Sequence, residues 1–134
     1  MSVTAHFARR FRFLELLRLS LFLGAVYDLA FALLMVAAPG VPSRLLDLPL
    51  PGEAFYLWIM ATLLTMLAAL YLIAARDTRR YSGIVAVAIG GRLAGGLVFL
   101  LAALLHGHAG LYPLAAADLA FGLVHAALWL PIRS

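Results

Sequence analysis

The chain has 134 residues, 66% of them hydrophobic and only 12% charged, with a mean hydropathy of +1.05 and a formal net charge of +4. Soluble domains are nearer 45–50% apolar and about 25% charged, so this composition excludes an ordinary water-soluble fold and makes the bilayer the solvent. Cysteine and lysine are absent and all ten basic residues are arginine; without cysteine there is no thiolate nucleophile, Cys-ligated zinc, iron–sulfur cluster or disulfide exchange.

Residues 6–18 are polar to amphipathic. Phe7, Phe11, Leu14 and Arg18 recur at helical spacing while Arg9, Arg10, Arg12 and Glu15 take other faces. This describes either an amphipathic segment on the membrane surface or the charged beginning of a longer first helix. The first span covers about 19–38, has Asp28 at its centre and stops at Pro39-Gly40. It is too long for the apolar core of a signal peptide and lacks a clean cleavage site, so it is read as a span that stays. The linker 39–52 holds four prolines and two glycines and reads as a Pro-rich loop. Its Leu45, Leu46, Leu48 and Leu50 could rest on the membrane surface or plug the end of a bundle.

The second span, about 54–75, carries no charge, and its Thr62 and Thr65 are expected to bond their own i−4 carbonyls. Arg76-Asp77-Thr78-Arg79-Arg80 then makes a tight basic turn. The third span covers about 82–105, residues 106–110 form a very short turn, and the fourth span covers about 111–130, ending at Pro131. Four apolar runs of about twenty residues match a hydrocarbon core of about 30 Å. Only helices or closed barrels cross it, and continuous apolarity excludes the alternation of a barrel. The fold class is therefore all-α: a polytopic membrane protein, one domain, an antiparallel four-transmembrane-helix bundle. Four arginines through Arg18, three in the 76–80 turn and Arg133 lie on one side, against Arg44 alone on the other. Both termini should face the cytoplasm, in a bacterial inner membrane with the remaining loops toward the periplasm.

Arg92, within Ala88-Ile89-Gly90-Gly91-Arg92-Leu93-Ala94-Gly95-Gly96, is the costliest residue in the chain. A central arginine costs about 2.5–3.5 kcal/mol on insertion scales and cannot shed its proton. At a rise of about 1.5 Å per residue, Asp28 lies about 14 Å deep, Arg92 about 12 Å and Asp118 about 18 Å. Three helices thus place their central charges in one slab, and Asp28, Arg92 and Asp118 are expected to form a buried cluster. Ser20, Gly24, Asp28 and Phe31 share a stripe on the first span, and Asp118, Gly122, His125 and Trp129 on the fourth. The tetrapeptide Asp-Leu-Ala-Phe occurs at both aspartates. Gly24, Gly91, Gly95 and Gly122 are expected to let helices approach, Gly91 and Gly95 as a GxxxG pair. With both carboxylates ionised the cluster carries a net charge of −1, which one proton would cancel; His125 is read either as a packing histidine or as a relay for that proton.

No catalytic residue, metal site or cofactor is expected. His106 and His108 lie at the opposite end from His125, which rules out bis-His haem within one chain, and His106-x-His108 alone is a weak metal site. The serines sit near the membrane edges or in the linker, and no phosphate-binding glycine motif is present. In its four-span plan and size the chain resembles the DoxX-like group of small bacterial membrane proteins. The likeness covers the whole chain as architecture and carries over no functional residue. It is less similar to the small multidrug-resistance transporters, where the first helix holds the acid: here that acid is Asp28, and Arg92 has no place in their pattern. The leading expectation is a non-enzymatic structural or accessory subunit. Its partners would be the lipid bilayer and other membrane subunits or a second copy, not nucleic acid. The alternative is a binder or transporter of a small lipophilic or proton-coupled solute, and a third reading is a membrane enzyme using these groups as acid and base.

Overall fold

The computed structural model describes residues 3–133, with side chains from Arg9 onward; the side chain of Phe7, part of the amphipathic reading of 6–18, lies outside the described residues. The chain forms α1 (Val3–Ala37), α2 (Gly40–Leu46), α3 (Ala54–Arg76), α4 (Ser82–His106) and α5 (Leu111–Arg133), with no strand among the described residues. Helices α1, α3, α4 and α5 are each long and apolar enough to cross a membrane. They make an antiparallel four-helix bundle, and their outward faces are covered by exposed leucines, valines and aromatics such as Leu33, Trp58, Val98 and Leu105. In water such faces would be untenable; in lipid they are the solvated surface.

The packing is unequal. α1 lies along α3, α4 lies along α5, and α1 against α5 joins the two pairs; α3 and α4 are consecutive yet touch little. α3 buries only a narrow seam of Ala61, Ala68, Tyr71 and Ala74. Three alanines allow its backbone to come close to α1, as small residues do between helices in lipid. Two apolar clusters result. Leu17, Leu21, Ala25, Ala68, Tyr71, Ala74, Val85, Ala88 and Ile132 fill the arginine-rich half, and Ala103, Leu111 and Leu114 the opposite end.

Segments 6–18 and 19–38 are one continuous helix, α1, 35 residues long. Arg18 fastens it to α3: Nε donates to the Ala75 carbonyl at 2.7 Å and Nη2 to the Arg76 carbonyl at 3.1 Å, while Nη1 pairs with Glu15 at 3.0 Å. The last carbonyls of a helix have no intrahelical donor and carry its negative dipole end, so a guanidinium there satisfies both needs. The basic turn that follows is shaped by Asp77, whose Oδ1 accepts the Arg79 and Arg80 N–H groups at 3.2 and 3.0 Å. In α3 Thr62 and Thr65 donate to Trp58 and Ala61 carbonyls, both at 2.8 Å.

The linker is not simply a loop. Pro39 and Pro42 begin a short helix, α2, because their fixed φ suits a first turn in which no N–H is needed. Asp47 closes it in the left-handed region, φ 52°, donating its N–H to Ser43, and the Ser43 hydroxyl donates to the Leu48 carbonyl. This turn delivers Leu46 and Leu48 onto the Ala103–Leu111–Leu114 cluster, while Leu45 and Leu50 stay exposed. The fourth span likewise does not end at Pro131: α5 continues to Arg133. Proline there costs one bond to the Ala127 carbonyl, and Ile132 beyond it is buried against the arginine-rich cluster.

Gly110 faces the backbone of Leu46 so closely that a Cβ would overlap main-chain atoms, whereas nothing lies near Gly90. Gly110→Ala should therefore lower stability by about 1–3 kcal/mol. Gly90→Ala should be neutral or stabilising by up to about 1 kcal/mol. Thermal unfolding of both variants in one detergent checks the contrast.

Candidate functional site

The three central charges meet. Arg92 Nη1 bonds Asp118 Oδ1 at 2.5 Å, and Nη2 bonds Asp28 Oδ1 at 2.7 Å and the Gly24 carbonyl at 3.2 Å. Arg92, Asp28 and Asp118 are 6%, 1% and 7% exposed. A guanidinium presents several donors in a planar fork, so one side chain on α4 can tie α1 and α5 at once, where lysine would offer a single point charge. Asp28 Oδ2 and Arg92 Nε remain buried without a hydrogen-bond partner.

Aromatic rings surround the cation. Arg92 Cζ lies 5.3 Å from the Tyr27 ring centre, 5.2 Å from Tyr71 and 5.3 Å from Phe121. A cation within about 6 Å of a ring face is attracted by the ring quadrupole, most strongly when desolvated. α1, α3 and α5 thus each give Arg92 a ring. α3, which has no charge inside the membrane, joins the cluster through Tyr71.

The glycines divide by role. A Cβ on Gly96 would come within 2.7 Å of Leu119, and one on Gly122 within 2.8 Å of Leu93, so these two set the close approach of α4 and α5. A Cβ on Gly95 would stand 3.1 Å from Asp118 Oδ2. At Gly24 it would meet Arg92 and Tyr71 at an ordinary 3.5 Å, so Gly24 serves mainly through its carbonyl. At Gly91 no atom of another helix lies within 4 Å of its Cβ position, and Gly91 lines the cavity instead of packing against a helix of this chain. Gly96, one turn beyond Arg92, takes that part.

His125 is fully buried but stands apart from the ionic cluster. Its ring lies 5.9 Å from that of Phe121 and 6.4 Å from that of Tyr71. Neither ring nitrogen has a hydrogen-bond partner, although the Ser20 backbone is adjacent. His106 and His108 are near neighbours at the opposite end, their rings 6.4 Å apart. Among the described residues no three His, Asp or Glu side chains converge as metal ligands.

The ionic cluster borders a cavity of about 350 Å³. Its charged boundary is Asp28, Arg92 and Asp118, with Tyr27 and Tyr71 beside them; its other walls are apolar, including Phe31, Met35, Leu64, Phe99 and Leu114, and Leu46 and Leu48 lie across one end. His125 is not among its lining residues. Met60 and Leu67 line it from α3 and are partly exposed, so the cavity is open on the α3 side, where α3 and α4 barely touch. Comparison of the chain with family models, curated proteins and solved structures returns no match.

Sequence reasoning missed the ring of Tyr27, Tyr71 and Phe121. Two signals were available: Tyr27 precedes Asp28, and Phe121 closes the tetrapeptide that begins at Asp118. Tyr71 gave none, lying in a span without charge.

Removing only one side of a buried ion cluster strands the other. Arg92→Leu should cost about 3–5 kcal/mol, by leaving two unpaired carboxylates. Combining it with Asp28→Asn and Asp118→Asn should recover most of that loss, to within about 1–2 kcal/mol of the original. Denaturation in mixed micelles, single variant beside triple, measures both.

Proposed function

We propose that the protein is a multi-pass protein of the bacterial inner membrane that binds, or carries, a small lipophilic solute in the cavity beside Asp28, Arg92 and Asp118. The observation that carries this reading is the meeting of the ionic cluster with a cavity. A cluster serving only as glue would be sealed by apolar packing. Here all three charged residues, though almost fully buried, belong to the lining of an apolar cavity at the lower end of the size range of ligand pockets, roughly 300–1,000 Å³. Intramembrane ionisable groups that face such a space are characteristic of solute sites. The sideways opening between α3 and α4 suits a ligand that partitions into lipid first.

A structural or accessory subunit is the second reading. It is favoured by the way one guanidinium fastens α1 and α5 to α4 and so fixes their register. The four-span plan in common with the DoxX-like group is compatible with either. The concentration of arginine at one end supports cytoplasmic termini.

Two experiments test these proposals. In phosphatidylcholine nanodiscs the protein should retain phenylbutanol saturably above empty discs, and Leu64→Trp, which fills the cavity from α3, should weaken retention roughly tenfold or more. Equal retention by empty discs removes the binding reading. For orientation, the absence of cysteine gives a silent background. A membrane-impermeant maleimide should label Leu45→Cys in intact cells and Arg79→Cys only after lysis; the reverse pattern inverts the topology.

A further inference from the structure

We propose that the solute is a lipophilic cation: a primary or secondary ammonium group, bound by Asp28, on an apolar body. This rests on the binding reading above and specifies the ligand of the same cavity. Three observations converge on it. The cluster contains one guanidinium and two carboxylates and, with both ionised, has a surplus of one negative charge in surroundings of low dielectric. The surplus has a location: Asp28 Oδ1 is held by Arg92 Nη2, while Oδ2 is buried and has no hydrogen-bond partner. Asp28 lines the cavity, whose other walls are almost entirely apolar.

Other head groups fit less well. An anion would meet a cluster that is already net negative; both Nη groups are held by carboxylates, which leaves it only the single buried N–H of Nε. A quaternary ammonium lacks the N–H that a bare carboxylate oxygen requires. It would also need ring faces, and those of Tyr27 and Tyr71 are turned to Arg92. A neutral hydroxyl could donate to Oδ2 but would leave the surplus charge in place. An ammonium N–H donates to Oδ2 and brings the cluster to neutrality at once, and charge-assisted hydrogen bonds of this kind are about twice as strong as neutral ones. Phe31, Met35, Leu64, Phe99 and Leu114 then receive the hydrocarbon part; flexible methionine and aromatic walls accommodate varied shapes.

The test uses a matched series, phenylbutylamine, phenylbutanol and phenylbutyrate, dialysed against the whole protein in nanodiscs of zwitterionic phosphatidylcholine, with empty discs as background. The amine should be retained roughly tenfold or more tightly than the alcohol, and the carboxylate not above background. Asp28→Asn should abolish the amine's advantage over the alcohol. Alcohol binding as tight as the amine in the unaltered protein means the surplus charge is already cancelled by a proton; that overturns this inference and leaves the cavity reading standing. An amine advantage that survives Asp28→Asn overturns the role of Asp28. Retention of none of the three overturns this inference and the binding reading together. The ratio in the unaltered protein decides the matter by itself should Asp28→Asn not fold, and Leu64→Trp should weaken amine and alcohol alike.

Discussion

A guanidinium that keeps its charge cannot be left alone among hydrocarbon tails, and the arrangement of this bundle follows from that constraint. Arg92 cannot neutralise itself, so its partners must come to it. They come from two other helices: Asp28 with the Gly24 carbonyl from α1, and Asp118 from α5. Close approach of α4 and α5 is then obligatory, and Gly96 and Gly122 stand where a methyl group would prevent it. In lipid, where apolar burial gives no net drive for helices to associate, ion pairs and small-residue contacts take over the role that a hydrophobic core has in water.

The same constraint accounts for the cavity. α1, α4 and α5 are drawn together by charge, whereas α3 has none to offer. It reaches the cluster by one aromatic ring, is closely packed only along its alanine seam on α1, and is fastened at its end by Arg18. A cavity results on the side where α3 and α4 barely touch, and the cluster forms part of its lining. An ionic tie between helices and a ligand site are therefore not competing descriptions of these residues. The tie uses one oxygen of Asp28, and the proposed site would draw on the other, which is buried without a hydrogen-bond partner.

Much of this was legible in the sequence. Four long apolar runs between arginine clusters specify the spans, because length and hydropathy alone decide whether a helix can cross. The meeting of Asp28, Arg92 and Asp118 was legible from depth, since rise per residue converts sequence position into height in the bilayer. Rotation about the helix axis was less so. Gly91 and Gly96 are both plausible packing glycines by spacing, and only the position of α5 selects Gly96. The short helix α2 was concealed by its prolines, which read as a loop when counted and as a helix start when their positions within the first turn are considered. Tyr71 was invisible because a ring's attraction for a cation leaves no mark in hydropathy. The cavity itself could not be read, since a volume depends on how far two helices stand apart, and no residue encodes that distance by itself.

The ion pairs of Arg92 have a mechanical consequence for a membrane of changing thickness. Sliding α1 or α5 past α4 by one helical turn, about 5.4 Å, would break a buried ion pair, so these three spans must answer hydrophobic mismatch by tilting as a unit. α3 is the exception, for no ion pair inside the hydrocarbon fixes its register. Its bonds to Arg18 lie at its last residues, and its threonines are satisfied within its own backbone. Held at that end by Arg18, α3 would answer a thinner or thicker bilayer by tilting about the fastening point, and the width of the opening beside α4 becomes a property of the lipid as well as of the protein.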